Sequence, residues 1–595
     1  MKYKSRNEVP ENEKWDLTDI YLTIKHWEKD FKKVERLIAD IQKFEGSIKN
    51  GATLLAYLTK QEELSQTFNL VYVFAMLNND IDTRNTEAQS LLDKVSHLSV
   101  KISAATSFFL PFLLSIEEEV LQRYINETDG LKYFEKDLLE SYRYKEHILS
   151  KEQEQIMSQM GEALSSPSKT FGLINNADIK FGKVTSNNGE KVELTRGMYS
   201  KLIEDEDRKK RKEAYKAYYK PYLQMKNSIA STLSASIKNN VTVSKIRHYN
   251  SSLEKSLFSD MVPKEVYDNL IETTRKNIYT LHQYTDIRRE KLGIETLHQY
   301  DLSVSLVPGM KQEISYDQAY DTMLKALKPL GEEYVNILTT FKDKRYIDVR
   351  ETPGKRSGAY NLGVYGVHPF VLLNYQDQDG LDSLFTLTHE CGHAMHSHFS
   401  QTYQPRISAR YSIFVAEVAS TVNEVLLINY LLVEAKDAEL KKYLLNHFID
   451  KFRGTFFTQV MFSEFEKITH ELAEKGEPLN ADVFDKIYGK LFIEYNGESI
   501  ALEEGTSGWS RIPHFYRPFY VYKYATGFAA AIHIANQLLN DDLEMKLSYL
   551  EFLKSGSSDY PLELLKKTGV DLTISEPIEK ILKYFSELVN EFSKL

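Results

Sequence analysis

The sequence predicts a mainly α-helical protein carrying one small β-sheet. Apolar residues recur at helical spacing near the start (Trp27, Phe31, Val34, Ile38, Ile41) and near the end (Ile578, Ile581, Leu582, Phe585, Leu588, Val589, Phe592). Steps of three and four put each set on one face of an α-helix, so both helices dock on a core. Only short runs look like strands, and the clearest is residues 367–375, where β-branched and aromatic side chains follow His368 and Pro369. Hydrophobic residues at 42% and charged ones at 27% give the balance of a folded protein, which excludes wholesale disorder.

In chain order, Thr23 is the expected cap of the first helix. The apolar stretches 68–77 and 108–116 are shorter than the about 20 residues a bilayer needs, and Pro111 breaks the second, so both are expected as core helices. A turn is expected at 165–169. The polar break at 186–190, between the runs 181–184 and 191–195, reads as a hairpin closing an N-terminal helical region, residues 1–200. Charged, Tyr-rich helices then begin a second region, residues 201–595. Gly354, Gly358, Gly363 and Gly366 suggest either a mobile loop or a series of tight turns. In the run 367–375, Pro369 points to an edge strand with free backbone groups able to hold an extended chain; the alternative is an ordinary core strand. A second non-helical segment is expected at 505–527, behind Pro513 and Pro518. If it were helical, Tyr516, Tyr520 and Tyr524 would form one stripe.

The net charge of -10, from 75 Lys plus Arg against 85 Asp plus Glu, offers no basic surface for nucleic acid. The single cysteine, Cys391, precludes an intramolecular disulfide, and no apolar signal core follows residues 1–8, so the expected location is the cytoplasm, with no membrane partner.

Residues 389–393 read His-Glu-Cys-Gly-His. On a helix, His389 and His393 point from one face on successive turns, with Glu390 beside them: two imidazoles and a carboxylate are the layout of a hydrolytic zinc site. The structural alternative is a pair of core histidines bonded to carbonyls. Leu381, Leu384, Phe385 and Leu387 after Gly380 make a buried helix, where such a group is costly without a metal. Cys391 points away from the histidine face and is expected as a small buried hydrophobe.

A zinc hydrolase takes three protein ligands and leaves a position for water. His396 lies on nearly the same face, but one straight helix does not easily supply three corners of a tetrahedron. Ten residues after the first His, where another zinc-protease pattern places its third ligand, stands Phe399. A carboxylate from another helix is the third option. Glu417 lies inside the apolar run 413–424, where a charge is expensive unless it is metal-bound or paired, for instance with Arg410; Glu424 shares its face and suits the outer N–H of a ligand imidazole.

The strings 386–397 and 414–420, together with 14–19 near the start and 512–516 and 518–522 near the end, resemble the oligoendopeptidase F branch of the thimet-oligopeptidase family of zinc peptidases over nearly the whole chain. The resemblance implies one Zn²⁺ per chain held by His389, His393 and Glu417, with Glu390 as general base. It implies a zincin-type catalytic domain over 201–595, with the small sheet beside the active-site helix and a deep channel that admits short peptides. It assigns oxyanion stabilisation to His514 and Tyr520, with Tyr524 behind them. Cys391 departs from the Phe or Leu usual after the motif Glu. Rival expectations are a zinc hydrolase of a non-peptide amide or ester and a non-catalytic helical binding scaffold.

Overall fold

The computed structural model describes residues 3–185, 189–307 and 312–595. The chain folds as two compact units: Met1–Glu154, Lys311–Tyr411 and Leu553–Ser558 form the first, and Gln155–Met310, Ser412–Phe552 and Asp559–Leu595 the second.

In the first unit, helices Ile24–Gln42, Gly51–Asp80 and Thr86–Thr106 bury Trp27, Val34, Ile38 and Ile41 of the periodic set, with Phe31 packed part-buried against them; Val34 and Ile41 are fully buried among Leu54, Val71 and Val95. Thr23 occupies the cap position, though its hydroxyl meets His26 Nδ1 at 2.9 Å and not the helix backbone. Pro111 does not break the 108–116 stretch, because it falls in the first turn of helix Phe109–Ser115, where its missing N–H is not needed. Among the described residues two stretches, Thr86–Ser115 and Ile413–Glu434, are long and apolar enough by composition to cross a membrane; the most apolar part of the second is 67% buried within the protein.

A three-stranded sheet completes this unit: β4 (Ile347–Arg350), β5 (Tyr360–Leu362) and β6 (Phe370–Tyr375), counted after the hairpin β1 (Lys183–Thr185) and β2 (Lys191–Glu193) and the short β3 (Leu297–His298). Its order is β4-β6-β5, with β6 parallel to β4 and antiparallel to β5, pairing Asn361 with Val371. The expectation of an edge strand at 367–375 is therefore corrected. Pro369 stands one residue before β6 and removes no ladder bond, leaving Phe370, Val371 and Leu372 fully buried in the centre of the sheet. The edge beside it is β5.

The glycine-rich segment before β6 resolves as turns. Gly354, Gly358 and Gly366 take φ of 85°, 83° and 86°, the left-handed region that side chains avoid. Lys355 anchors them: its Nζ meets Asp348 Oδ1 at 2.7 Å and the Arg350 carbonyl at 2.7 Å, with its side chain fully buried. Arg6 Nη1 donates to the same carboxylate at 3.0 Å.

In the second unit the hairpin β1–β2 forms as expected, antiparallel with Val184 opposite Val192; Ser186–Asn188 of the expected loop lie outside the described residues. No turn forms at 165–169. Helix Lys151–Leu173 runs through with Pro167 inside it, and Asn239 Nδ2 donates to the Leu164 carbonyl at 3.0 Å, serving an acceptor beside the site where the proline interrupts the ladder. The C-terminal helix Glu576–Lys594 buries every residue of its predicted stripe. Helix Ile413–Glu434 lies against Tyr522–Leu539, whose Gly527, Ala529, Ala530, Ala531 and Ala535 allow close approach.

Candidate metal centre

The motif helix is Gly380–Tyr403. It begins at Gly380 itself because the chain is tight there: a Cβ would meet the Gln312 carbonyl and the Ile314 nitrogen at 2.6 Å. Ser383 ties the entry, accepting from Gln376 N at 3.1 Å and donating to Gln376 O at 3.0 Å. Leu384, Leu387, Cys391, Ala394, Met395 and Phe399 are buried to 1% or less, so one side of the helix is anchored in the core. Cys391 is fully buried, and burial pushes its thiol well above the ordinary range.

On the other side, His389 and His393 are half-buried, and their Nε2 atoms stand 3.1 Å apart with the rings 83° from parallel. Two nitrogens bound to one tetrahedral ion at ~2.0–2.1 Å are separated by about 3.3 Å, so the pair fits a shared cation. Glu390 is 7% exposed, more deeply held than a residue on a wet helix edge. Among the described residues, donor atoms of His389, His393 and Glu417 lie within 4.8 Å of one another.

His396, the competing ligand from the same helix, is 1% exposed and lies flat against Tyr411. Burial drops its pKa to about 3, so it stays neutral. The Tyr411 hydroxyl reaches Ser397 Oγ at 2.9 Å and donates to the His393 carbonyl at 3.3 Å, bracing the turn that carries the second imidazole.

Glu417 belongs to helix Ile413–Glu434 and is half-buried; Ser420 Oγ donates to its carboxylate at 3.4 Å. Behind it stands Gly527, where a Cβ would meet the Glu417 Cβ at 3.4 Å. Glu424, on the same helix face, is 5% exposed and forms an ion pair with Lys451.

The segment after Gly505 is irregular as far as Val521: Glu504–Arg511 and Pro513–Tyr516 are 3₁₀ turns, and the α-helix starts only at Tyr522. No continuous phenolic stripe therefore exists. Tyr516 turns inward, stacked on Phe171 at 4.4 Å with its hydroxyl 2.7 Å from Thr232 Oγ1. His514, Tyr520 and Tyr524 group together: the His514 and Tyr520 rings are 6.2 Å apart and 11° from parallel, and Tyr524 stands edge-on to both at 6.1 and 5.5 Å. Burial pushes the Tyr524 phenol up, aided by Tyr520 and the Glu417 charge, which puts this group within electrostatic reach of Glu417. Burial and nearby Arg517 lower the His514 pKa, favouring a neutral imidazole.

The sequence reading missed three contributors. Arg517 lies over the Tyr520 ring at 4.1 Å. Phe519 takes φ 53°, and Glu466 holds it by accepting from its N–H at 2.9 Å. Tyr411 braces the motif helix from just beyond it. Only Phe519 left a trace in sequence, through the Pro518 before it, which signalled an irregular backbone without its sign.

Residues 201–584 match the sequence profile of Peptidase family M3, and residues 113–181 match that of its N-terminal partner, Oligopeptidase F. The chain belongs to peptidase family M3. This M3 chain is 40% identical to Oligopeptidase PepF of Bacillus subtilis over 99% of its length and 88% of the relative's. It is 38% identical to the plasmid Oligoendopeptidase F of Lactococcus lactis subsp. cremoris, over 100% and 98% of the two chains. Its fold superimposes on a crystal structure from Chlamydophila abortus with a TM-score of 0.90 at 34% identity, covering 99% of both chains. For oligoendopeptidase-F from Enterococcus faecium the values are 0.76 and 35%, over 96% and 98%. The M3 chain is accordingly a metallo-oligopeptidase, mainly helical with small sheets, and a member of the oligoendopeptidase F group named from its sequence. That membership removes the non-catalytic scaffold and implies a metal cofactor and short peptide substrates.

Proposed function

We propose that this M3 peptidase is a zinc-dependent endopeptidase of short oligopeptides, with His389, His393 and Glu417 as the metal ligands. The observation that carries the reading is the His389–His393 Nε2 separation of 3.1 Å, close to one edge of a zinc tetrahedron. When bound, zinc supplies Lewis acidity and brings the pKa of a water ligand from 15.7 to about 7.

The chain's own groups do the rest. The Glu390 carboxylate takes the proton of the attacking water and returns it to the leaving amine. His514, kept neutral, and Tyr520 donate hydrogen bonds to the carbonyl oxygen as its charge grows. Arg517, over the Tyr520 ring, makes that phenol a better donor. With β6 central, the peptide-holding edge becomes β5, whose Asn361 lies beside the motif helix through its Nδ2 bond to Ser397 at 3.0 Å.

Replacing Glu390 by Gln tests the assignment. The variant is expected to hold one zinc by metal analysis while cleavage of a quenched peptide falls roughly 10²- to 10⁴-fold; normal turnover with zinc bound overturns it. A deep channel, carried over from the family, restricts substrates to short unfolded peptides; equal cleavage of a segment free and inside a folded protein argues against it. Hydrolysis of a non-peptide amide or ester at rates above those of peptides would favour the rival substrate class. The acidic net charge supports the absence of nucleic-acid partners, and the lone buried cysteine supports a cytoplasmic location.

A further inference from the structure

The second unit contains a cavity of about 280 Å³. Its polar wall carries Arg453, Arg511, Tyr219 and Tyr488, its aromatic wall includes Phe462 and Phe492, and no Asp or Glu lines it.

The charges around it do not balance. Arg511 donates from Nε to the Tyr219 hydroxyl at 3.0 Å, its guanidinium 5.9 Å from that ring, and forms no ion pair among the described residues. Arg453 reaches Asp450 only at 3.5 Å through Nε, because Asp450 is already held by the fully buried Arg288 at 2.6 Å. Two guanidiniums, Arg288 and Arg453, thus share the Asp450 carboxylate, and Arg511 has no carboxylate within ion-pair distance among the described residues. Arg511 and Arg453 are half-buried in the cavity wall, and a partly desolvated cation without a full counter-charge favours an anion beside it. Arginine presents a planar fork that matches a carboxylate with two parallel hydrogen bonds, and phenol hydroxyls add donors. Ser303, exposed at the rim, marks an entry.

We propose that this cavity is a binding site for a small organic carboxylate, gripped by Arg511 with Tyr219 and Tyr488 and packed between the aromatic side chains. The volume admits a benzoate-sized ion, at the small end of ligand sites, which run from about 300 Å³ upward. A free acid and the terminal carboxylate of a short peptide share this chemistry. The proposal does not depend on the zinc chemistry proposed above.

Calorimetric titration of the full chain with benzoate in HEPES buffer tests the proposal. One-to-one binding that weakens about tenfold or more in Arg511→Gln is expected; no heat at millimolar benzoate, or unchanged affinity in the variant, overturns it. Should Arg511→Gln fail to fold, wild-type crystals soaked in 4-bromobenzoate decide the matter: an anomalous bromine peak within the cavity supports the site, and its absence there overturns it. Hippurate separates the two sources. Tighter binding than benzoate supports a peptide terminus in the site, and weaker binding supports a free acid.

Discussion

His396 and Tyr411 lie face to face, with ring centroids 3.7 Å apart and planes 6° from parallel. The stack gives the third histidine of the motif helix a structural place in the core. It fills the core behind the ligand face and holds the Tyr411 hydroxyl against the His393 carbonyl. Replacing His396 by Ala is expected to cost about 2–4 kcal/mol of stability through the space it leaves. Tyr411→Phe, which keeps the stack, should cost only about 1 kcal/mol. Denaturant unfolding gives both values, and retained metal in the two proteins would confirm that neither side chain is a ligand.

Glu417→Ala removes the only carboxylate in the proposed ligand set. Metal analysis after dialysis should find the variant depleted, with peptide cleavage lost in parallel. A Glu417→Ala protein that keeps a full equivalent of metal would move the third ligand elsewhere.

Chelation should act on stability as well as on turnover. An ion bound only by the folded state stabilises it by about 2.7 kcal/mol when present at 100 times its dissociation constant. A chelator should therefore lower the melting temperature, and added zinc should restore it. An unchanged melting curve would mean that the donor atoms hold no metal in solution.

Glu466 predicts a pH dependence. Its Oε1 accepts from Phe519, its Oε2 has no hydrogen-bond partner among the described residues, and burial pushes its carboxyl well above 4.5. With the folded pKa raised, its contribution is fully present below about 4.5 and is lost as pH rises toward the folded value. Glu466→Gln keeps an acceptor for Phe519 but does not titrate, so its stability should fall less than that of the wild type between mildly acidic and alkaline pH. Parallel curves for the two proteins would show that Glu466 is already charged.

The buried cluster of Asp348, Lys355 and Arg6 predicts a structural lesion. Asp348→Ala strands two cations, one of them fully buried, and is expected to cost about 3–5 kcal/mol. Urea unfolding measures this directly.

Much of the site was legible because its determinants are local. A four-residue step fixes His389 and His393 on one face whatever surrounds them, whereas Glu417, half-buried here, stands out in the apolar run 413–424 only as a candidate until the resemblance singles it out. Helix periodicity at 24–42 and 576–594 likewise depends only on spacing. What the sequence concealed was set by partners far along the chain. Pro369 marks a strand boundary equally well at an edge or in the middle of a sheet, and β4 and β5 decide which. Pro167 reads as a turn until Asn239, far downstream, supplies a bond beside the interruption. The tyrosines at 516, 520 and 524 share a helical interval, yet the irregular backbone that includes the left-handed Phe519, held by Glu466, parts Tyr516 from the other two.

Lys355 and Arg356 form a basic pair among glycines, the kind of exposed-looking sequence that trypsin-like proteases cut first. Recognition by such an enzyme requires the lysine to leave its seat and enter a foreign pocket, and here its ammonium is locked onto Asp348 with the stem sealed from solvent. The bond after Lys355 should therefore resist digestion as long as the fold is intact, and become a sensitive reporter of its opening.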